Sequence, residues 1–466
     1  MVAIPETLKS TWRTVQIFKI VDGTSLGLGL FISSPYLYQI FSKFGNLDQA
    51  FFYTAVLIAT YFGLIALFEI PTGAFADTFG RVRTVILSLV LSSANGILVV
   101  SIFFIGNLGL VVALAFITRV LSSFAYTLAS GTFSAWLVES IREREPNFGY
   151  ERLLARGAAL EHFSMILGAI LGITTYLYGA PYIAFLVMTL LKLGCLSYCF
   201  SAMEESKSLV FFNIESNLWQ LMRTHTIKTI KIAVNLCRTN KLIQWFTIAY
   251  VNYVFLFNIV DRLWPIALGG QFGIQKWSYQ WYVMGLIIPL CSAMTARLLA
   301  HWGDKTQKKD IVHSATGLGR WFFVCVYLST FAILFLGWVN HQGIINFPVF
   351  LVSVLILEAS AGIVYPAYET LVCHYMPAEH AQERATVLSI GSALRSVLVF
   401  IFIIPSRGTS DAMSPVGWML PASILLVMGV VSHFYIRLYQ KKSVSLSSTS
   451  TVFAKEKIYG SESATK

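Results

Sequence analysis

GAFADTFGRVRTV, residues 73–85, decides how the whole chain reads. The stretch gathers Gly73, Asp77, Gly80, Arg81 and Arg83 into the gap between two long apolar runs, 51–72 and 85–105, where charge is otherwise scarce. A turn this short and this polar, between two runs long enough to cross hydrocarbon, belongs at a membrane face, where Asp77 and Arg81 reach water or each other. Gly73 and Gly80 are expected to let the backbone turn tightly and the flanking helices approach closely, because neither has a Cβ.

Composition agrees with that placement. The 466 residues are 56% hydrophobic and 12% charged, with a mean hydropathy of +0.68. Soluble domains carry about 25% charged residues, so this composition belongs to a membrane protein. In a soluble chain the net charge of +11 would point to nucleic acid. In a membrane chain Lys and Arg accumulate in cytoplasmic loops, and no nucleic-acid partner is expected. The six cysteines are scattered; Cys195 and Cys199, one helical turn apart, read as core packing, and neither metal nor cofactor is expected. The first apolar run lacks a cleavage site and should itself serve as the insertion signal. The lack of an Asn-x-Ser/Thr sequon leans toward a bacterial chain.

Outward from residues 73–85, twelve spans can be placed, each near the ~20 apolar residues a crossing needs. Six lie at 14–41, 51–76, 82–105, 108–140, 151–177 and 181–202, and six at 240–267, 277–301, 312–339, 344–375, 381–405 and 415–438. The expected fold is all-α: an N-terminal six-helix bundle at 1–203, an amphipathic cytoplasmic linker at 204–239, a C-terminal six-helix bundle at 240–440 and a disordered tail at 441–466. Within the linker, NLWQLMRTHTIKTIKIAV (217–234) alternates apolar residues with Arg223, Lys228 and Lys231, as a helix lying on an anionic leaflet does. Loops on one side carry Lys9, Arg13, Arg81, Arg83, Arg142, Arg144, Lys305, Lys308 and Lys309, which puts both termini in the cytoplasm of a cell-membrane protein.

Read for spacing, 73–85 is Gly-x-x-small-Asp-x-aromatic-Gly-Arg-x-basic, between spans two and three. It resembles the loop that the major facilitator superfamily carries at that place. A degenerate echo, Ala296-x-x-x-Ala300-x-x-Gly303, follows span eight. Spans four and ten both run from a glycine to a carboxylate, Gly131 to Glu139 and Gly362 to Glu369. The resemblance implies two pseudo-symmetric bundles that rock about a central cavity, moving a small organic solute as a monomer embedded in lipid. It also implies a cytoplasmic gate of Gly73, Asp77, Gly80, Arg81, Glu139 and Arg384. In it Asp77 caps the helix near 381 and meets Arg384, Arg81 meets Glu139, and the pairs form when the halves close. TRVLSSFAYT (118–127), around Arg119, resembles a helix of proton-coupled exporters, although Gly168-x-x-x-Gly172 lacks the Gly-Pro that antiporters carry next.

Charges inside spans are the second set of candidates, because each costs ~2.5–3.5 kcal/mol at the bilayer centre unless it faces a cavity or a partner. They are Asp22, Arg119, Glu161, Asp261, Glu358 and Arg395, together with Arg262 beside Asp261. By position along their spans, Glu161, Glu358 and Arg395 fall nearest the midplane, Asp22 nearer the cytoplasm, and Arg119 and Asp261 nearer the outside. Glu161 or Glu358 is the carboxylate expected to exchange a proton, unless a permanent Glu358–Arg395 bridge makes that pair structural. Tyr126, Tyr250, Tyr253, Tyr365 and Tyr368 offer aromatic surface, either for packing or for an amphipathic solute. Proton-linked export of amphipathic molecules leads, with uptake of a small metabolite or organic anion second. An enzyme would need a convergent nucleophile or metal cluster, and an ATP-driven pump a phosphate loop; the sequence has neither pattern. A transporter-shaped receptor is the remaining alternative.

Overall fold

The computed structural model describes residues 4–45, 47–145, 150–205, 224, 227–228, 231–232, 234–236, 238–271, 279–306, 311–344, 346–376, 384–403 and 416–462. After a short turn at Glu6–Leu8 come α1 (Lys9–Phe41), α2 (Leu47–Phe79), α3 (Arg81–Ile102), α4 (Leu108–Ala129), α5 (Thr132–Arg144), α6 (Tyr150–Leu177) and α7 (Pro181–Ala202). The second half comprises α8 (Lys241–Gln271), α9 (Tyr279–Thr306), α10 (Ile311–His341), α11 (Phe347–Tyr375), α12 (Arg384–Ile403) and α13 (Met419–Glu462). Among the described residues eleven segments are long and apolar enough to cross a membrane, and α12 contributes a shorter apolar run, Ile390–Phe402. These are the twelve expected spans, with α4 and α5 forming the fourth.

Lipid offers backbone groups no partner, so each apolar run closes its own hydrogen bonds as a helix. Asparagines mark several starts. The side chain of Asn107 accepts from Leu110 N at 3.0 Å, that of Asn346 from Val349 N at 3.0 Å, and that of Asn240 from Leu242 N and Ile243 N at 3.2 Å. Gly80 makes the turn between α2 and α3 at φ 101°, a conformation glycine adopts without steric cost.

Packing shows the duplication better than sequence does. In the first half α1 packs on α6 and α7, α2 on α4, and α3 on α4 and α7. In the second α8 packs on α12 and α13, α9 on α11, and α10 on α11 and α13. Each of these contacts in the first half therefore reappears six spans later. The halves meet through α2 against α12 and α6 against α9, two contacts that the same operation exchanges.

Away from the basic loops the seam is sealed by apolar side chains. Phe31 of α1 meets Trp264 of α8 edge-on at 5.4 Å, Trp264 lies 5.3 Å from Trp281 of α9, and all three are fully buried. Beside them the hydroxyls of Thr174 and Tyr282 join α6 to α9 at 3.1 Å.

Two expectations turn out differently or fall outside the description. Helix α13 runs on to Glu462 where disorder was anticipated from 441. The amphipathic linker segment 217–234 lies mostly outside the described residues.

Candidate functional site

At the loop that opened the reading, Arg81 Nη2 reaches Glu139 Oε1 at 2.9 Å. Both residues belong to the first half, so the pair ties α3 to α5 within one bundle. It braces α5 against the start of α3 within that half. The side chains of Asp77 and Arg384 lie outside the described residues. Gly73 also departs from expectation: it is exposed, helical, and a Cβ there would meet nothing within 4 Å. Close approach belongs to Gly80 alone, where a Cβ would come within 2.6 Å of Glu205 Oε2. Glu205, unnoticed in the sequence because it follows span six, accepts from Arg81 N at 2.7 Å and Val82 N at 3.1 Å. Its carboxylate thus caps the start of α3, where the helix dipole favours an anion.

A first charged group lies deeper, where α1 and α6 touch. Gly23 and Gly27 lie against the backbone of Glu161 and Met165, and Gly168 against that of Thr24; a Cβ at these glycines would fall 2.1, 2.0 and 1.9 Å from a carbonyl oxygen. Lys19 pairs with Glu161, and each side chain is 20% exposed. Asp22, half-buried, stands in electrostatic range of Glu161, Lys19 and Lys192 of α7. Lys19 also faces Glu369 of α11, an exposed residue across the seam. Asp22 and Glu161 therefore share one level, contrary to the depths assigned from span midpoints. Helix α1 starts at Lys9, well before its apolar run, so its midpoint is a poor depth marker.

The second group occupies the seam itself. Arg395 of α12, half-buried, donates from Nη2 to Tyr126 OH of α4 at 3.4 Å and lies in range of Tyr250, Tyr365 and Glu69. Tyr365 in turn faces Asp261 and Glu358, both buried. From the other half, Glu69 of α2 is set against Arg395. Glu69 is 5% exposed, accepts from Ser130 Oγ at 3.1 Å through Oε1, and leaves Oε2 without a hydrogen bond among the described residues. Arg119 stands half-buried on α4, with the hydroxyls of Ser122 and Ser123 donating to its carbonyl. Glu69 and Lys192 were legible as lone charges within apolar runs and were overlooked.

Ser130 is available to Glu69 because span four breaks there. Gly131 adopts φ 73°, and α5 restarts at Thr132. Tyr126 O keeps its helical donor, Ser130 N, at 2.8 Å, and of the carbonyls that the break exposes Thr127 O is reached by Thr72 Oγ1 of α2 at 3.1 Å. Broken helices in membranes persist where protein rather than lipid satisfies the freed groups.

Two six-span bundles related by a pseudo-twofold, sealed on one side and charged along their seam, define a secondary transporter. The sequence model of the Major Facilitator Superfamily matches residues 23–403, and the chain belongs to that superfamily. Among solved structures, a D-xylose–proton symporter aligns with a TM-score of 0.65 at 14% identity, over 92% of this chain and 97% of that one. The human organic anion transporter MFSD10 (TETRAN) aligns with a TM-score of 0.62 at 15% identity, over 93% and 100%. The POT family transporter PepTSo aligns with a TM-score of 0.69 at 10% identity, over 94% and 99%. At such identities the likeness concerns the fold. By sequence, no curated protein matches the chain.

Proposed function

We propose that this transporter couples proton exchange to the movement of a small amphipathic organic acid, and that Arg395 recognises the acid. The observation that carries the reading is the placing of Arg395: one cation at the seam, ringed by Tyr126, Tyr250 and Tyr365, with Glu69 as its acid from the opposite half. A solute anion and Glu69 compete for the same guanidinium. Protonating Glu69 weakens its hold and leaves Arg395 for the solute, so proton and solute load together. Because Glu69 and Arg395 belong to different halves, that exchange also alters what ties the halves, as a rocking cycle requires. The tyrosine faces suit the apolar part of the solute. MFSD10, named as an organic anion transporter, offers a precedent on this fold.

Loading of proton and solute together favours uptake of the organic anion with the proton gradient; export, favoured by the resemblance around Arg119, is the second reading and requires the proton to replace the solute. Both place the chain in the cell membrane with its termini in the cytoplasm. In sealed proteoliposomes with an imposed pH gradient, a panel of organic acids, neutral sugars and organic cations should single out acids. Glu69→Gln should keep exchange of labelled solute and lose pH-driven accumulation. Normal accumulation in that variant would remove Glu69 from coupling, and Glu358→Gln would then be the next carboxylate to assay.

A further inference from the structure

Outside the seam, α8, α10 and α13 border a cleft of about 210 Å³. Phe246, Phe323 and Ile436 form its apolar floor, and Arg320 and Arg437 stand exposed at its sides. Among the described residues neither guanidinium has a carboxylate partner. Arg320 lies toward the first end of α10, which follows Lys305, Lys308 and Lys309, and Arg437 lies toward the end of the apolar stretch of α13. Both ends lie on the side of the basic loops, and Lys441 and Lys442 follow directly. The flanking side chains Trp321, Phe434 and Leu438 are exposed apolar groups, as surfaces against lipid are.

One side of the cleft is held by a directed chain of hydrogen bonds. Arg437 Nε donates to His433 Nε2 at 3.1 Å, which leaves the imidazole proton on Nδ1, facing Tyr327 OH at 3.0 Å. Tyr327 OH then donates to Gly429 O at 3.4 Å, and His433 stacks on Phe323 with centroids 4.5 Å apart. Arg437 is thereby oriented through Nε alone, and its two terminal nitrogens remain for a ligand. At ~30 Å³ per water the cleft holds about seven water volumes (210/30), enough for a phosphate diester but not for a whole lipid.

We propose that this cleft binds the phosphate head group of an anionic phospholipid between Arg320 and Arg437, with the start of the acyl chains on the apolar floor. The lipid is favoured over a free anion because the arginines stand beside the basic ends of their helices, among exposed apolar side chains. The full-length protein in mild detergent is titrated with phosphatidylglycerol, with phosphatidylcholine of the same chains, and with inorganic phosphate, and bound lipid is counted by native mass spectrometry. Wild type should retain one phosphatidylglycerol at least tenfold more tightly than phosphatidylcholine. Arg320→Gln/Arg437→Gln should lose that preference, and Arg297→Gln, an exposed arginine on α9, should keep it. An unchanged preference in the double variant, or displacement of the lipid by equimolar inorganic phosphate, overturns the proposal. A photoactivatable phosphatidylglycerol gives a readout on unaltered protein: crosslinks should fall on α10 and α13, and crosslinks confined elsewhere overturn it too.

Discussion

The two halves repeat one pattern of packing with different chemistry. In the first, α1 and α6 are zipped backbone to backbone through Gly23, Gly27 and Gly168. The equivalent pair in the second, α8 and α12, meets through an aromatic side chain: a Cβ at Gly391 of α12 would lie 3.6 Å from the ring of Tyr250 on α8, which itself stacks at 3.8 Å on Tyr368 of α11. Spans four and ten differ as sharply. Both carry a glycine followed by a carboxylate, yet Gly131 breaks its helix while Gly362 stays helical, its absent Cβ making room for Ser292 and Thr295 of α9. Glu139 braces its own half, whereas Glu369 faces Lys19 across the seam. Duplication has kept the directions in which helices pack and left each contact free to specialise. The first half has a rigid α1–α6 core and one broken span; the second has continuous spans and side-chain contacts that can repack.

That contrast breaks first at the glycine zipper. Gly168→Val should be the most damaging change, because even a Cβ would lie 1.9 Å from Thr24 O, and a backbone carbonyl cannot swing aside. A cost beyond the ~1–3 kcal/mol typical of overpacking is expected, seen as loss of the monodisperse peak in detergent chromatography. Gly391→Ala, the matching test in the second half, meets only the tip of Tyr368 at 3.0 Å and should stay folded with a small drop in melting temperature. Equal damage at both sites would erase the distinction drawn between backbone and side-chain contacts.

The broken span comes next. Gly131→Ala places a Cβ where φ is 73°, at about 1–2 kcal/mol, and Gly131→Asn should recover part of it because asparagine tolerates that region better. A thermal melt checks both, and an alanine variant as stable as wild type would mean that span four can straighten without cost. Smaller still is the brace on α5. Glu139→Gln removes the partner of a pair whose side chains are 19% and 27% exposed, so about 1 kcal/mol or less is expected in the same melt.

How far the sequence reached follows from what each feature depends on. Spans, their order and the turn at Gly80 were legible because lipid imposes length and apolarity locally. The Arg81–Glu139 pair was legible only through the family resemblance, which implies that the loop arginine meets an acid at the end of span four. Glu69 against Arg395 was not, since which residues of two distant helices face each other depends on the seam, and no local period encodes it. Nor was the break at Gly131 distinguishable from Gly362: both sit in similar runs, and what separates them is whether a neighbour such as Thr72 can satisfy a freed carbonyl.

The smallest expected effect tests the reading of the motif itself. Gly73 corresponds in the repeat to Ala296, so Gly73→Ala gives the first half the residue that the second already carries. The site is exposed and helical, with no atom within 4 Å of an added Cβ, so alanine should fit without contact. Gly-to-Ala in a helix gains about 0.4–1 kcal/mol by restricting the unfolded chain, and a slight rise in melting temperature is expected. A fall would mean that the room beside Gly73 is already used. If the room is needed only when the halves close on the basic side, the same variant should favour the present arrangement, sealed at Phe31 and Trp264. Cysteine labelling from the basic side would then increase while the melt still improves. Because the clash, if any, arises in one state alone, stability and labelling must part company here, which they cannot do at Gly168, where contact is built into the half itself.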